Sequence, residues 1–132
     1  MMKVYEFHEE MYDASIKYLI GGDVKELKQY LRIAHKRIPA MYSWDKKFSF
    51  GKDGDTTNGY QFHVNAPLGD GEIFYAWITD TSLLYHETFH LAGDILFTRG
   101  INYTYESEEA YAYLGSWIFN KINSMINGGK EN

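Results

Sequence analysis

Glu72-Ile73-Phe74-Tyr75-Ala76-Trp77-Ile78-Thr79-Asp80-Thr81-Ser82-Leu83-Leu84-Tyr85-His86-Glu87-Thr88-Phe89-His90 is the stretch from which the fold can be read. Its first seven residues are largely apolar at both alternating sets of positions, which predicts a strand covered on both faces. Thr79-Asp80-Thr81-Ser82 then offers several side chains able to accept from the free N–H groups of a helix start. A helix is predicted from about Ser82 to Phe97 or Thr98, ahead of Gly100, with Leu83, Leu84, Ile95, Leu96 and Phe97 as an apolar ring consistent with burial.

Upstream, Tyr60-Gln61-Phe62-His63-Val64-Asn65 alternates between an apolar set and a polar set, the pattern of a half-buried strand. It is expected to pair with residues 72–78 as an antiparallel hairpin through a turn at residues 66–71. The glycine-rich loop at residues 51–59 carries Asp53 and Asp55, but lacks the further acidic positions and closing glutamate of an EF-hand. Its glycines do not precede a Lys-Ser/Thr pair, so no phosphate cradle is expected. Asp23 reads as the N-cap of a helix whose apolar positions Val24, Leu27, Tyr30, Leu31, Ala34 and Ile38 repeat at three and four residues until Pro39. Lys25, Lys28, Arg32, Lys36 and Arg37 lie mostly off that stripe and form a solvated face. Residues 11–20 read as a further helix ending at Gly21-Gly22, and residues 3–7 as a short strand. Downstream, a last helix begins near Ser107, with Ala110, Tyr113, Leu114, Trp117, Ile118, Lys121, Ile122 and Met125 inward. No repeat or boundary divides residues 1–132, so a single domain of α+β class is expected.

Composition narrows the chemistry. The chain of 132 residues is 45% hydrophobic and 17% aromatic with two prolines, as a folded globular domain would be. A net charge of −5 without a basic run argues against a nucleic-acid partner. With no cysteine, disulfides and thiolate zinc sites are impossible, and any metal must be held by His, Asp or Glu. The N-terminus lacks the apolar core of a signal peptide and no apolar run has the length of a membrane span. No membrane partner is expected, and a soluble cytoplasmic or phage-associated protein is the simplest reading.

Residues 86–90 form the pattern His-Glu-x-x-His. On a helix, i and i+4 share a face, so His86 and His90 could offer imidazole nitrogens to one zinc ion while Glu87 acts as base on a zinc-bound water. The bland alternative is a pair of surface or core histidines that touch no metal. Catalytic zinc usually has three protein ligands. The extended metzincin motif fails, because Leu96 stands where its third histidine would be.

Residues 77–90, followed by Glu109-Ala110-Tyr111-Ala112-Tyr113-Leu114, resemble a group of small gluzincin-like zinc metallopeptidase domains of phages and bacteria, over residues 72–117. That resemblance implies a zincin-like fold, a small antiparallel sheet packed against a helical bundle that includes the His-Glu-x-x-His helix. It implies zinc on His86 and His90, Glu87 as catalytic base and Glu109 as third ligand. The thermolysin-like Glu-x-x-x-Asp around the ligand is lacking. Helical spacing puts Glu109 with Tyr113 and Ser116, near the side expected to be buried, and leaves Glu106 and Glu108 as alternatives. All three could instead simply favour the helix N-terminus electrostatically.

Asp94, four residues beyond His90, is placed either to orient a histidine or in solvent. His63 could stabilise an oxyanion or be a plain surface residue; Tyr103, Tyr105 and Tyr111 could donate to a tetrahedral intermediate or be ordinary aromatics. His8 and His35 have no identifiable partners. The expected function is a zinc-dependent hydrolase, a peptidase with peptide or protein substrates. The alternative is a catalytically inactive zincin-like structural or protein-interaction module, phage-associated in one version.

Overall fold

The computed structural model describes residues 1–35, 58–66 and 71–128. Four strands, β1 (Lys3–Glu9), β2 (Ala14–Ile20), β3 (Gly59–Ala66) and β4 (Gly71–Ile78), form one sheet in the order β1-β2-β4-β3. Three helices accompany it: α1 (Val24–Ala34), α2 (Leu84–Thr98) and α3 (Glu108–Ile126). β1 and β2 form an antiparallel hairpin, and β3 pairs antiparallel with β4 as the alternation predicts. β2 and β4, however, run parallel, with Ile16 opposite Phe74 and Ile20 opposite Ile78. The sheet is therefore mixed, which corrects the expectation of an antiparallel one. A parallel pair cannot be closed by a hairpin, and here the chain between the partners includes α1 and β3.

The α+β class holds, but residues 14–20 are a strand where a helix was expected. Ala14, Ile16 and Tyr18 are buried at two-residue spacing while Ser15 is exposed, which is strand periodicity. Leu19, buried on the opposite face, crowds the pattern enough to imitate a helix. The hairpin is closed by Asp13 at φ 52°, and β2 ends at Gly21 and Gly22, both at positive φ. A methyl on Gly21 would also lie 2.7 Å from the Met1 carbonyl oxygen.

β4 occupies an interior position, as its two apolar faces require. Phe74, Ala76 and Ile78 look toward α2 and α3, where they pack with Ile16, Tyr18, Leu91, Ile95, Leu114 and Ile118. Tyr75 and Trp77 look the other way, packing with Leu19, Phe62, Val64 and the α1 residues Leu27 and Leu31. Helices thus cover both faces of the sheet instead of forming one bundle on a single side. Each fully buried leucine or isoleucine in these layers contributes about 1.5–3 kcal/mol.

Local signals fix the helix ends. The Asp23 carboxylate accepts from the Glu26 N–H at 2.9 Å, and Asp80 accepts from the Ser82 N–H at 2.8 Å ahead of a 3-10 turn at Thr81–Leu83 that leads into α2. Behind α2, Arg99 ties its end to the first hairpin and to β4, donating to the Tyr12 and Asp13 carbonyls at 2.7 Å each and to Glu72 at 2.9 Å. The expected continuation of α1 to Ile38, the segment at residues 41–50, the Asp53 and Asp55 loop and turn residues 67–70 lie outside the described residues. Among the described residues no helix is long and apolar enough to cross a membrane.

Candidate functional site

α2 buries Leu84, Thr88, Leu91, Ala92, Ile95 and Leu96, and this apolar stripe fixes its rotation on the sheet. His86 and His90 then fall on the exposed side, one turn apart, with ring centroids 4.7 Å apart at 72°. Glu87 falls on the margin between the two sides and is 6% exposed. Its Oε2 lies 3.8 Å from His86 Nε2. Burial pushes the Glu87 carboxyl above its ordinary value, while the His86 and His90 imidazoles, when protonated, pull it back down. A carboxylate of raised basicity is a better proton acceptor near neutral pH than a solvated one.

Glu87 reaches this position because β3 opens on glycine. A Cβ at Gly59 would sit 2.8 Å from Glu87 Oε2 and 3.1 Å from its Cγ, so the strand backbone can lie against the carboxylate only without a side chain there. The next residues on the same face of β3, Gln61 and His63, meet α2 at Asp94. His63 Nδ1 lies 2.9 and 3.1 Å from the two Asp94 oxygens, and the Gln61 amide donates to Asp94 Oδ2. Asp94 therefore does orient a histidine, but that histidine is His63, which also tilts against the Phe74 ring at 5.5 Å. A carboxylate accepting from Nδ1–H fixes the orientation of the ring.

The third expected ligand stands apart. Among the described residues no group of three or more His, Asp or Glu side chains is placed to hold a metal ion. Glu109 is exposed in the first turn of α3, lining a groove with Tyr85 and Phe89. It was expected near the buried side. Leu114, Ile118 and Ile122 form the buried stripe of α3, which turns Tyr113 and Ser116 outward and Glu109 with them. Glu106 and Glu108 are exposed as well; Tyr103 Oη donates to Glu108 at 3.4 Å. Tyr111 donates to the Ile101 carbonyl at 2.7 Å, an anchoring bond for the loop before α3.

The two histidines on one helical face are of a donor type that suits zinc, and they supply two of the three protein ligands such a site takes. The structure brings together His86, Glu87 and His90, and separately His63, Gln61 and Asp94, and it leaves Glu109 in the neighbouring groove. His8, which had no partner in the sequence reading, meets Ser15 and Asp13, and His35 meets the Tyr75 hydroxyl at 2.6 Å. Gly59 and Gln61 carried no functional signal of their own; the one available clue was that both share the strand face of His63.

Comparison with known protein families, with curated proteins and with solved structures finds no match to this chain. With no family match and no three-ligand group among the described residues, the expected likeness to gluzincin-like metallopeptidase domains is not upheld. A five-residue motif and a later Glu-Ala-x-Ala-Tyr segment are short enough to arise on any helix that follows a strand.

Proposed function

We propose that this chain is a zinc-dependent hydrolase acting on peptides. The observation that carries the reading is the placement of Glu87, a buried carboxyl of raised basicity, next to two imidazoles one turn apart and against the backbone of β3 at Gly59. His86 and His90 are the proposed metal ligands, with Glu109 of α3 as the third. Zinc, when bound, supplies a Lewis acid that polarises a carbonyl and makes water more acidic. Glu87 accepts the proton of the attacking water at a carboxylate oxygen and returns it to the leaving amine. Among the described residues β3 is an outer strand of the sheet, so an extended peptide can add beside it through main-chain hydrogen bonds. His63, whose ring Asp94 orients, is the proposed partner for negative charge developing on the substrate oxygen.

Zinc content and cleavage of an unfolded-protein substrate are measured together in the wild type and in Glu87→Gln, His90→Ala and Glu109→Ala. Glu87→Gln is expected to keep its metal and lose activity by about 100-fold or more, and His90→Ala to lose metal. A wild type that purifies without zinc and shows no zinc-dependent gain in stability overturns the proposal. The large aromatic side chains exposed on α2, Tyr85 at 74% and Phe89 at 64%, favour a second reading, a protein-interaction module. A metal-bearing wild type that is inactive across a broad substrate screen would select it.

A further inference from the structure

A groove of about 690 Å³ runs between α2 and α3, directly beside the histidine row. The two features share a wall, since Phe89 lines the groove and its ring centroid lies 6.1 Å from that of His90. The walls are aromatic. Tyr85 stacks on Phe119 at 4.2 Å and 10°, and Tyr103 meets Tyr111 edge-on at 4.8 Å. Glu108 and Glu109 stand among these rings, and among the described residues no Lys, Arg or His lines the groove. The volume is within the range of side-chain and small-ligand pockets. Gly115 lines it without a side chain, and a Cβ there would meet nothing within 4 Å.

Aromatic faces attract cations through their ring quadrupole, and carboxylates among them add a charge that an arginine or lysine matches. A purely apolar occupant would leave the Glu108 carboxylate to be desolvated for no return, and an anionic one would be repelled. We propose that this groove binds the cationic side chain of an arginine or lysine carried by a bound peptide. The peptide part of this assignment rests on the hydrolase reading given above; the cation site rests on the groove alone.

The full chain is titrated, at low ionic strength, with two labelled capped peptides that differ only in a central Arg or Gln, followed by fluorescence anisotropy. The Arg peptide is expected to bind about tenfold more tightly, with the difference shrinking as salt rises. Glu108→Gln is expected to remove most of that preference. Gly115→Leu, which fills the groove where nothing is in contact, is expected to abolish binding while the thermal unfolding transition persists. Equal binding of the two peptides, no binding of either, or a preference untouched by both variants overturns the assignment. The same holds if a neutral oligosaccharide binds more tightly than the Arg peptide. Repeating the titration in His86→Ala/His90→Ala separates the two readings. An Arg preference that survives there, in a chain whose wild type hydrolyses nothing, upholds the groove and sinks the hydrolase. Hydrolysis by the wild type with no Arg preference sinks the groove alone.

Discussion

The two faces of β3 are built to opposite specifications. Tyr60, Phe62 and Val64 point to the α1 side, where Phe62 stacks on Tyr75 at 4.9 Å and 15° and joins Leu27, Leu31 and Trp77 in an apolar layer. Gly59, Gln61 and His63 point to α2, and what they meet there is Glu87 and Asp94. One residue of register separates the two sets, since a strand presents alternate residues to opposite sides. The first face holds the sheet together by removing area from water. The second keeps polar groups at a helix–sheet seam, where each must be matched by a specific partner or cost free energy. The proposed acid-base chemistry falls on the second, where burial raises the Glu87 carboxyl.

The largest effect tests the first face. Phe62→Ala removes a stacked ring from a closed layer and is expected to destabilise the chain by about 3–5 kcal/mol, read as a fall in the urea midpoint with the slope unchanged. Zinc uptake at His86 and His90 should survive in whatever fraction stays folded, since those residues share no contact with the α1 layer. A loss below about 1 kcal/mol would mean that α1 does not seal the sheet as described.

Asp94→Ala tests the second face. It strips the shared acceptor from His63 and Gln61, and is expected to cost about 1–3 kcal/mol, the penalty of leaving partly buried donors unmatched. Folded-state NMR should show the His63 ring losing its fixed orientation against Phe74, because the carboxylate that holds Nδ1 is gone. A cost equal to that of Phe62→Ala would erase the contrast and make the polar seam a second core. No loss of stability at all would show that the pair seen at 2.9 Å does not persist in solution.

What was legible in the chain follows the same division between local and distant. β3, β4, the Asp23 cap, the presence of capping residues within residues 79–82 and the run of α2 were readable because each depends on spacing within a few residues. So was the grouping of His86, Glu87 and His90, which needs only helical geometry. Residues 14–20 were misread because Tyr18, Leu19 and Ile20 are apolar in succession, so neither period stands out, and what settles the matter is pairing with β4 some sixty residues away. The same applies at the site. His63 meets Asp94 across 31 residues of sequence, and the exposure of Glu109 depends on how Leu114, Ile118 and Ile122 rotate α3. Helical spacing alone placed Glu109 near the buried side, and the core of this chain turns that face of α3 outward.

The smallest expected effect concerns a polar group set inside the apolar layer under α2. Tyr18 is fully buried, and its hydroxyl bonds the Thr88 hydroxyl at 2.8 Å and donates to the Leu84 carbonyl at 3.3 Å, pinning β2 to the first turns of the helix that carries His86 and His90. Tyr18→Phe keeps the ring and removes both bonds, so about 1 kcal/mol should be lost at neutral pH. The pH dependence gives the sharper reading. Burial raises the Tyr18 hydroxyl well above its ordinary value, with the nearby Glu87 charge adding to the rise. The unfolded chain therefore gives up this proton first, at about pH 10, while the folded chain still holds it. Below that pH the stability contribution is complete; above it, stability falls by up to about 1.4 kcal/mol per pH unit for this one group. Tyr75, raised mainly by its own burial on the opposite face of the sheet, adds a second such loss. Chemical denaturation between pH 8 and 11 should therefore show a steep alkaline decline in the wild type and a shallower one in Tyr18→Phe, with the Tyr75 share remaining. If the two curves stay parallel, the Tyr18 hydroxyl reaches water in solution, and the seam between β2 and α2 is wetter than the face that α1 closes.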